Sequence, residues 1–420
     1  LVHEEGDGHR DGDDPHERSD VHEGSKGSTV ANGQVSFIPG GTGVPGSDVG
    51  SVMTRAPQVE VLPLLRGILR DDGDAQRIYA EAMDAGTSRR YHAFADWARG
   101  SSPTYAEWAE GIAGDDELTE RISRLGERRG QPNLVFAAAR WAGCGLEPFA
   151  VWRDRLLTEW DRVAAITAER RTQTNEVGRC ATLLPPLSHI EGPIALLETG
   201  TAAGLCLYPD RYAYEYSSAE EGPLRTIVPE RPDAAALPML RCRVDDPGAI
   251  PETIPDIVWR AGIDLAPIDV GDADAVDWLE TLIWPGPVHD ERIERLRAAV
   301  DVARSDPPRI VPGDILDRLP EVAAESPPDA TLVVFHSAVL LYLDAAERRR
   351  FADLVSTLGA RVNRRVVWIS NETAGTLPEI DGRMPQGVDA TGSFIQTVDG
   401  MPVALAGQHG ATYEVSALRS

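Results

Sequence analysis

The chain has 420 residues, 42% hydrophobic and 26% charged, an ordinary balance for a globular protein with room for two domains. Its formal net charge of −26 excludes a surface built to track nucleic-acid phosphates, since that affinity comes from neutralising them with cations. No apolar run reaches membrane-spanning length and no charged segment leading into an apolar one opens the chain, so no membrane contact and a cytoplasmic location are expected.

Residues 1–52 are rich in Gly, Asp, Glu, Ser and His and nearly lack large apolar side chains, so they cannot bury enough surface to offset their ordering entropy. His3, His9, His16 and His22 fall in this stretch at irregular spacing, which favours a disordered acidic arm over a metal-binding tail. Folded character begins just after Met53, the expected natural start. Cys144, Cys180, Cys206 and Cys242 form no C-x-x-C pair, so neither a metal site nor a disulfide scaffold is expected.

Residues 53–155 read as a helical domain. Ile78, Tyr79 and Ala82 recur at turn spacing, as do Tyr91, Phe94, Ala95 and Ala98. Ser102-Pro103 interrupts the pattern, and Tyr105, Trp108 and Ile112 resume it. Asp115 or Asp116 can cap a helix carrying Leu118, Ile122 and Leu125, and Pro132 can open the next. Leu156, Trp160, Val163 and Ile166 then mark one long amphipathic helix.

From 156 to 420 strand, loop and helix alternate, which signals an α/β domain with a mostly parallel sheet. The predicted strands are 194–198, 258–264, 309–311, 331–335 and 365–369. Segments 393–398 and 402–406 flank Asp399-Gly400 and predict a C-terminal antiparallel hairpin.

The chemistry concentrates at the ends of these strands. The first runs into Glu198, Gly200, Ala202 and Gly204, a G-x-A-x-G loop and not the G-x-G-x-x-G of a pyrophosphate site. Small residues there let a ligand approach the backbone, and Glu198 can accept from an ammonium group, so a phosphate-free cofactor with a cationic amino-acid end suits the loop. Asp264 ends the second strand, where a carboxylate can hold ribose hydroxyls, and Asp314 ends the third, where it can accept from an adenine amino group. Ser337 lies beside His336 at the end of the fourth.

The order E-x-G-x-x-x-G, then Gly262-Ile263-Asp264-Leu265, then Gly313-Asp314, then an apolar strand entering a helix resembles class I S-adenosylmethionine-dependent methyltransferases. The resemblance implies a Rossmann-like fold over about 156–420, with Glu198 at the methionine end of the cofactor, Asp264 at its ribose and Asp314 at its adenine. The spacing from Gly204 to Asp264 exceeds one strand–helix–strand unit. Either an insertion fills about 207–257, or Glu215 ends the true second strand; the local pattern favours Asp264. From about Met53 the chain also resembles a bacterial domain-of-unknown-function family (DUF2332), on Thr172–Cys180, the Glu198 loop, Asp210-Arg211-Tyr212, Gly262-Ile263-Asp264 and Phe335-His336-Ser337-Ala338-Val339.

Gln173, Asn175, Glu176 and Arg179 form a polar run that is costly to bury without partners, and are candidates to line a pocket. His336 is the candidate general base, against a histidine satisfied within the sheet. His409 can face the same pocket, although an exposed loop histidine is the plainer reading. Tyr208, Tyr212, Tyr214 and Tyr216 are either an aromatic lid or, more simply, the packed face of a strand. The expected function is methyl transfer from S-adenosylmethionine to a small molecule. The alternatives are a non-catalytic binding protein of the same fold and, behind it, a nicotinamide-dependent oxidoreductase.

Overall fold

The computed structural model of the chain describes residues 86–419 apart from 174 and 231–236. The acidic arm, the start at Met53 and the helical spacing of Ile78, Tyr79 and Ala82 lie outside the described residues. No described helix is long and apolar enough to cross a membrane.

Helix α1 (Thr87–Ala98) buries Tyr91, Phe94, Ala95 and Ala98, the stripe its spacing predicts. In α2 (Pro103–Ala113) Pro103 occupies the first turn, where a missing N–H costs nothing, and the Ser102 hydroxyl accepts from Tyr105 N. Asp115, not Asp116, caps α3 (Asp116–Leu125) by accepting from Leu118 N at 2.9 Å. After α4 (Pro132–Trp141), the predicted long helix is two, α5 (Phe149–Thr158) and α6 (Trp160–Glu169), parted at Glu159. The break lets Trp152 and Leu156 from one piece and Val163 and Ile166 from the other enter the same core. There Trp108 stacks on Trp152 with centroids 4.2 Å apart, and Phe136 meets both edge-on.

This core continues into the α/β part. Trp278 joins it, Trp284 packs on Phe94, Trp97 and Tyr105, and Arg140 donates to the carbonyls of Thr281 and Ile283.

One mixed sheet of eleven strands follows the order β3-β2-β4-β11-β10-β9-β8-β7-β1-β5-β6. Five of them, β6 (Arg309–Pro312), β5 (Ile257–Asp264), β1 (Ile194–Thr199), β7 (Thr331–Ser337) and β8 (Val366–Glu372), are mutually parallel neighbours. Every residue of β1 is buried, as a strand covered on both faces requires. Ile194 and Leu196 pack beneath α7 (Cys180–Ser188) and α9 (His289–Ser305), while Ala195 and Leu197 face α10 (Ile315–Ala324) and α11 (Ala345–Val362). Antiparallel β9 (Ser393–Val398) and β10 (Met401–Gly407) turn at Asp399 and Gly400, both with positive φ.

The segment between Leu207 and Ile257 is part of the sheet. Its strands β2 (Ala213–Ser218), β3 (Gly222–Ile227) and β4 (Met239–Val244) build the edge away from β1, joined through β11 (Thr412–Glu414). Glu215 therefore sits far along the sheet from β1, and Asp264 ends the strand that pairs with it. The four tyrosines are packed: their hydroxyls donate to the carbonyls of Asp306, Leu205, Pro209 and Ala181, so they form no lid.

Candidate functional site

Sheet neighbours of β1 were added in opposite directions, β5 and β6 on one side and β7 and β8 on the other. The strand order therefore reverses between β1 and β7, the position at which open α/β sheets generally bind ligands. The loop after β1 takes positive φ at Gly200 (+74°), Ala202 (+49°) and Gly204 (+71°). At Gly200 a Cβ would fall 2.4 Å from Val339 Cγ2, so only glycine lets the β1 and β7 loops approach this closely. Ala202 bears a left-handed conformation costing about 1–2 kcal/mol. Two side chains hold it there: its N–H donates to Asp264 Oδ2 at 2.8 Å, and the neighbouring Ala203 N–H donates to Asn175 Oδ1 at 2.9 Å.

Asp264 also accepts from Ala266 N at 2.8 Å and from Gln173 Nε2 at 3.4 Å. It braces the loop, leaving roughly one of a carboxylate's four lone-pair positions for a ligand. Glu198 points from β1 toward the α7 side, where it is buried. Thr201 Oγ1 donates to it at 2.6 Å, and among the described residues it has no ion pair. Burial first, then the nearby Cys206, pushes its carboxyl well above the usual range. Asp314, at the end of edge strand β6, is exposed and caps α10 by accepting from Leu316 N. Ser337 Oγ accepts from Asn371. Thr199 Oγ1, Asn371 Oδ1 and Glu372 Oε2 near the ends of β1 and β8, and Asn175 Nδ2 beside the loop, are buried with no hydrogen-bond partner among the described residues.

Beside the loop lies a cavity of about 500 Å³. Gln173, Asn175, Glu176, Arg179 and His409, all candidates from the sequence, line it; none of the residues expected to hold a cofactor does. Its apolar lining comes from α1 (Trp97), the end of α8 (Ala273–Leu282) and the residues after it (Leu282, Ile283, Trp284), and α9 (Leu296). Glu176 and His409, distant in sequence, meet because Gly178 and Gly410 press backbone to backbone. A Cβ on Gly178 would lie 2.3 Å from the His409 carbonyl oxygen.

Sequence reasoning missed Arg292 and Arg295. Both come from the first turns of α9 and clamp Glu176, with Arg292 Nε at 2.9 Å and Arg295 Nη2 at 2.8 Å. Burial alone would raise the Glu176 carboxyl, but the two guanidiniums outweigh it and hold the group at about 2. A signal was present: Arg292 and Arg295 continue the helical face that buries Leu296, Ala299 and Val300. Arg179 donates only to main-chain oxygens, Nε to Gln408 at 2.9 Å and Nη1 to Ser337 at 3.1 Å. The His409 side chain is exposed toward the cavity, where desolvation by the surrounding protein acts on its ring. That desolvation, with Arg292, Arg179 and Arg295 around it, pushes it down to about 4 despite Glu176.

His336 lies elsewhere. Strand alternation turns it, with Leu332 and Val334, to the opposite face of the sheet. Trp368 Nε1 donates to its Nε2 at 3.0 Å, so Nδ1 carries the proton and donates to Glu372 Oε1 at 2.7 Å. With no exposure and both nitrogens engaged, it cannot serve as a base to a ligand in the cavity, and that expectation is corrected. The same Glu372 oxygen accepts from Val339 and Leu340 N, so the group pins the β7 loop against Gly200. His336→Ala, stranding both partners, is expected to cost about 2–4 kcal/mol in urea unfolding; a cost within 0.5 kcal/mol of zero would refute that role.

The sequence matches the family described as uncharacterized protein conserved in bacteria (DUF2332) over residues 144–414. The chain belongs to this family. The match takes in the whole sheet, the Glu198 loop and the cavity's polar side, and it begins after α4, so the first four helices lie outside it. No curated protein and no solved structure matches the chain.

Proposed function

We propose that the protein is an S-adenosylmethionine-dependent methyltransferase acting on a small molecule, with a Rossmann-like cofactor site at the carboxyl ends of β1, β5 and β6. The observation that carries this reading is Glu198, a buried carboxyl that forms no ion pair among the described residues and stands where the strand order reverses. Burial disfavours its ionised form, which a cationic ligand would stabilise. The strand order β6-β5-β1-β7-β8 is that of five strands of a doubly wound sheet, numbered 3-2-1-4-5 in their own chain order.

When bound, the cofactor supplies an electrophilic methyl group on a sulfonium. Glu198 would receive its ammonium. Asp264 fixes the loop and offers its remaining acceptor position to a ribose hydroxyl. Asp314 stands at the β6 end for the adenine amino group. Leu265, directly after β5, and Tyr342, in the turn that follows β7, are 70% and 71% exposed and offer apolar surface that a purine plane would cover.

Calorimetric titration of the full chain with S-adenosylmethionine and S-adenosylhomocysteine, with NAD and NADP as controls, tests the reading. Saturable micromolar binding of the first pair is expected. No binding by folded protein, or binding of the nicotinamide pair instead, would overturn it. A second reading, a binding protein that performs no transfer, is favoured by one observation: His336 is withdrawn and His409 is held too weakly basic to activate an acceptor. S-adenosylhomocysteine formation on incubation with candidate acceptors separates the two.

A further inference from the structure

We infer that the cavity binds a small organic carboxylate with an apolar body, its anionic end among Arg179, Arg292 and Arg295 and its body against Trp97, Trp284 and Leu296. As a ligand this anion stands independently; as the methyl acceptor it rests on the transferase reading.

The charge inventory carries the argument. Three guanidiniums line the cavity, and the one buried carboxylate among its described lining residues, Glu176, is engaged by Arg292, Arg295 and Gly178 N. Glu291, half-exposed at the rim, lies 3.4 Å from Arg295 and is shared with Arg241 at 3.5 Å. Arg179 forms no ion pair among the described residues: its charge acts at longer range on Glu198, its guanidinium lies 5.1 Å over the Phe394 ring, and two carbonyls take Nε and Nη1 while Nη2 makes no hydrogen bond among the described residues. In a chain of net charge −26, such an excess of positive charge inside a concave site runs against the composition. A guanidinium fork matches a carboxylate's two oxygens in geometry, and the opposite wall is two indoles and aliphatic side chains. About 500 Å³ is ample for an arylacetate-sized ligand. The lining groups are poor proton acceptors at neutral pH, Glu176 at about 2 and His409 at about 4. A ligand that arrives already anionic therefore suits the cavity better than one that must lose a proton there.

The test is calorimetry on the full chain with phenylacetate and indole-3-acetate, their primary amides, and inorganic phosphate. Saturable one-to-one binding of the acids is expected, weakened by added NaCl, with at least tenfold weaker binding of the amides and of phosphate. Arg179→Gln should weaken acid binding at least tenfold and Arg179→Lys less, with the unfolding midpoint of each variant recorded to show that the fold persists. Failure of both acids to bind, equal binding of acids and amides, or unchanged affinity in Arg179→Gln would overturn the proposal. Equal binding of phosphate would overturn its apolar half. S-adenosylmethionine is titrated separately: loss of that signal with acid binding intact removes the transferase reading and leaves this one.

Discussion

Glu198→Gln should weaken S-adenosylmethionine binding by about 30- to 150-fold, the worth of about 2–3 kcal/mol for a buried hydrogen bond to a charged group, while leaving the ligand-free fold more stable. The two effects share a cause. Burial raises this carboxyl's pKa, so the folded chain binds its proton more tightly than the unfolded chain does. That contribution is present in full below about 4.5, the ordinary value, and is lost as pH rises through the folded one. Glutamine never ionises, so the variant escapes the loss and gains stability relative to the native chain at the alkaline end. A cationic ligand reverses the balance by favouring the ionised form. Wherever Glu198 is protonated in the free protein, binding must release a proton, read as heats that change with the buffer's ionisation enthalpy. Unchanged affinity in Glu198→Gln, with no proton release from the native chain, would remove Glu198 from any cofactor site.

The second large effect belongs to Glu176. Its carboxyl, ordinarily near 4.5, is held at about 2 by Arg292 and Arg295, which corresponds to about 3 kcal/mol of folding stability at neutral pH. A depressed pKa contributes above about 4.5 and is lost as pH falls toward 2, so acid unfolding of the native chain should steepen in that window. Glu176→Gln is expected to lose about 3–5 kcal/mol in urea unfolding at pH 7, because two mostly buried guanidiniums lose their only shared anion. An added arylacetate should restore part of that loss by occupying the vacated positive site. A loss below 1 kcal/mol would mean that water already screens the pair.

Much of this molecule is written locally. The parallel strands fall within a few residues of where alternation and apolar runs put them, because strand period and strand ends depend on near neighbours. Ser102, Asp115 and Asp399-Gly400 act where their side chains or backbone freedom act in any protein. The break at Glu159 was not legible: no glycine or proline marks it, and only the need to feed both halves into one aromatic core accounts for it. The polar run Gln173, Asn175, Glu176 and Arg179 stands out in the sequence because such groups are costly to bury, but its partners do not.

What the sequence by itself determined is therefore the class of the fold, the strands and their polar ends, and the residues that needed partners. Tertiary structure alone decided who those partners are. Gln173 reaches Asp264, Glu176 meets Arg292 and Arg295, and His409 joins them through the contact of Gly178 with Gly410. It also decided which face His336 shows, since alternation fixes that Leu332, Val334 and His336 share a side but not whether that side looks toward the cavity or into the opposite layer. The physical reason is range. Backbone geometry and turn chemistry act over a few residues, whereas charge pairing and burial depend on which distant segments the sheet order brings together.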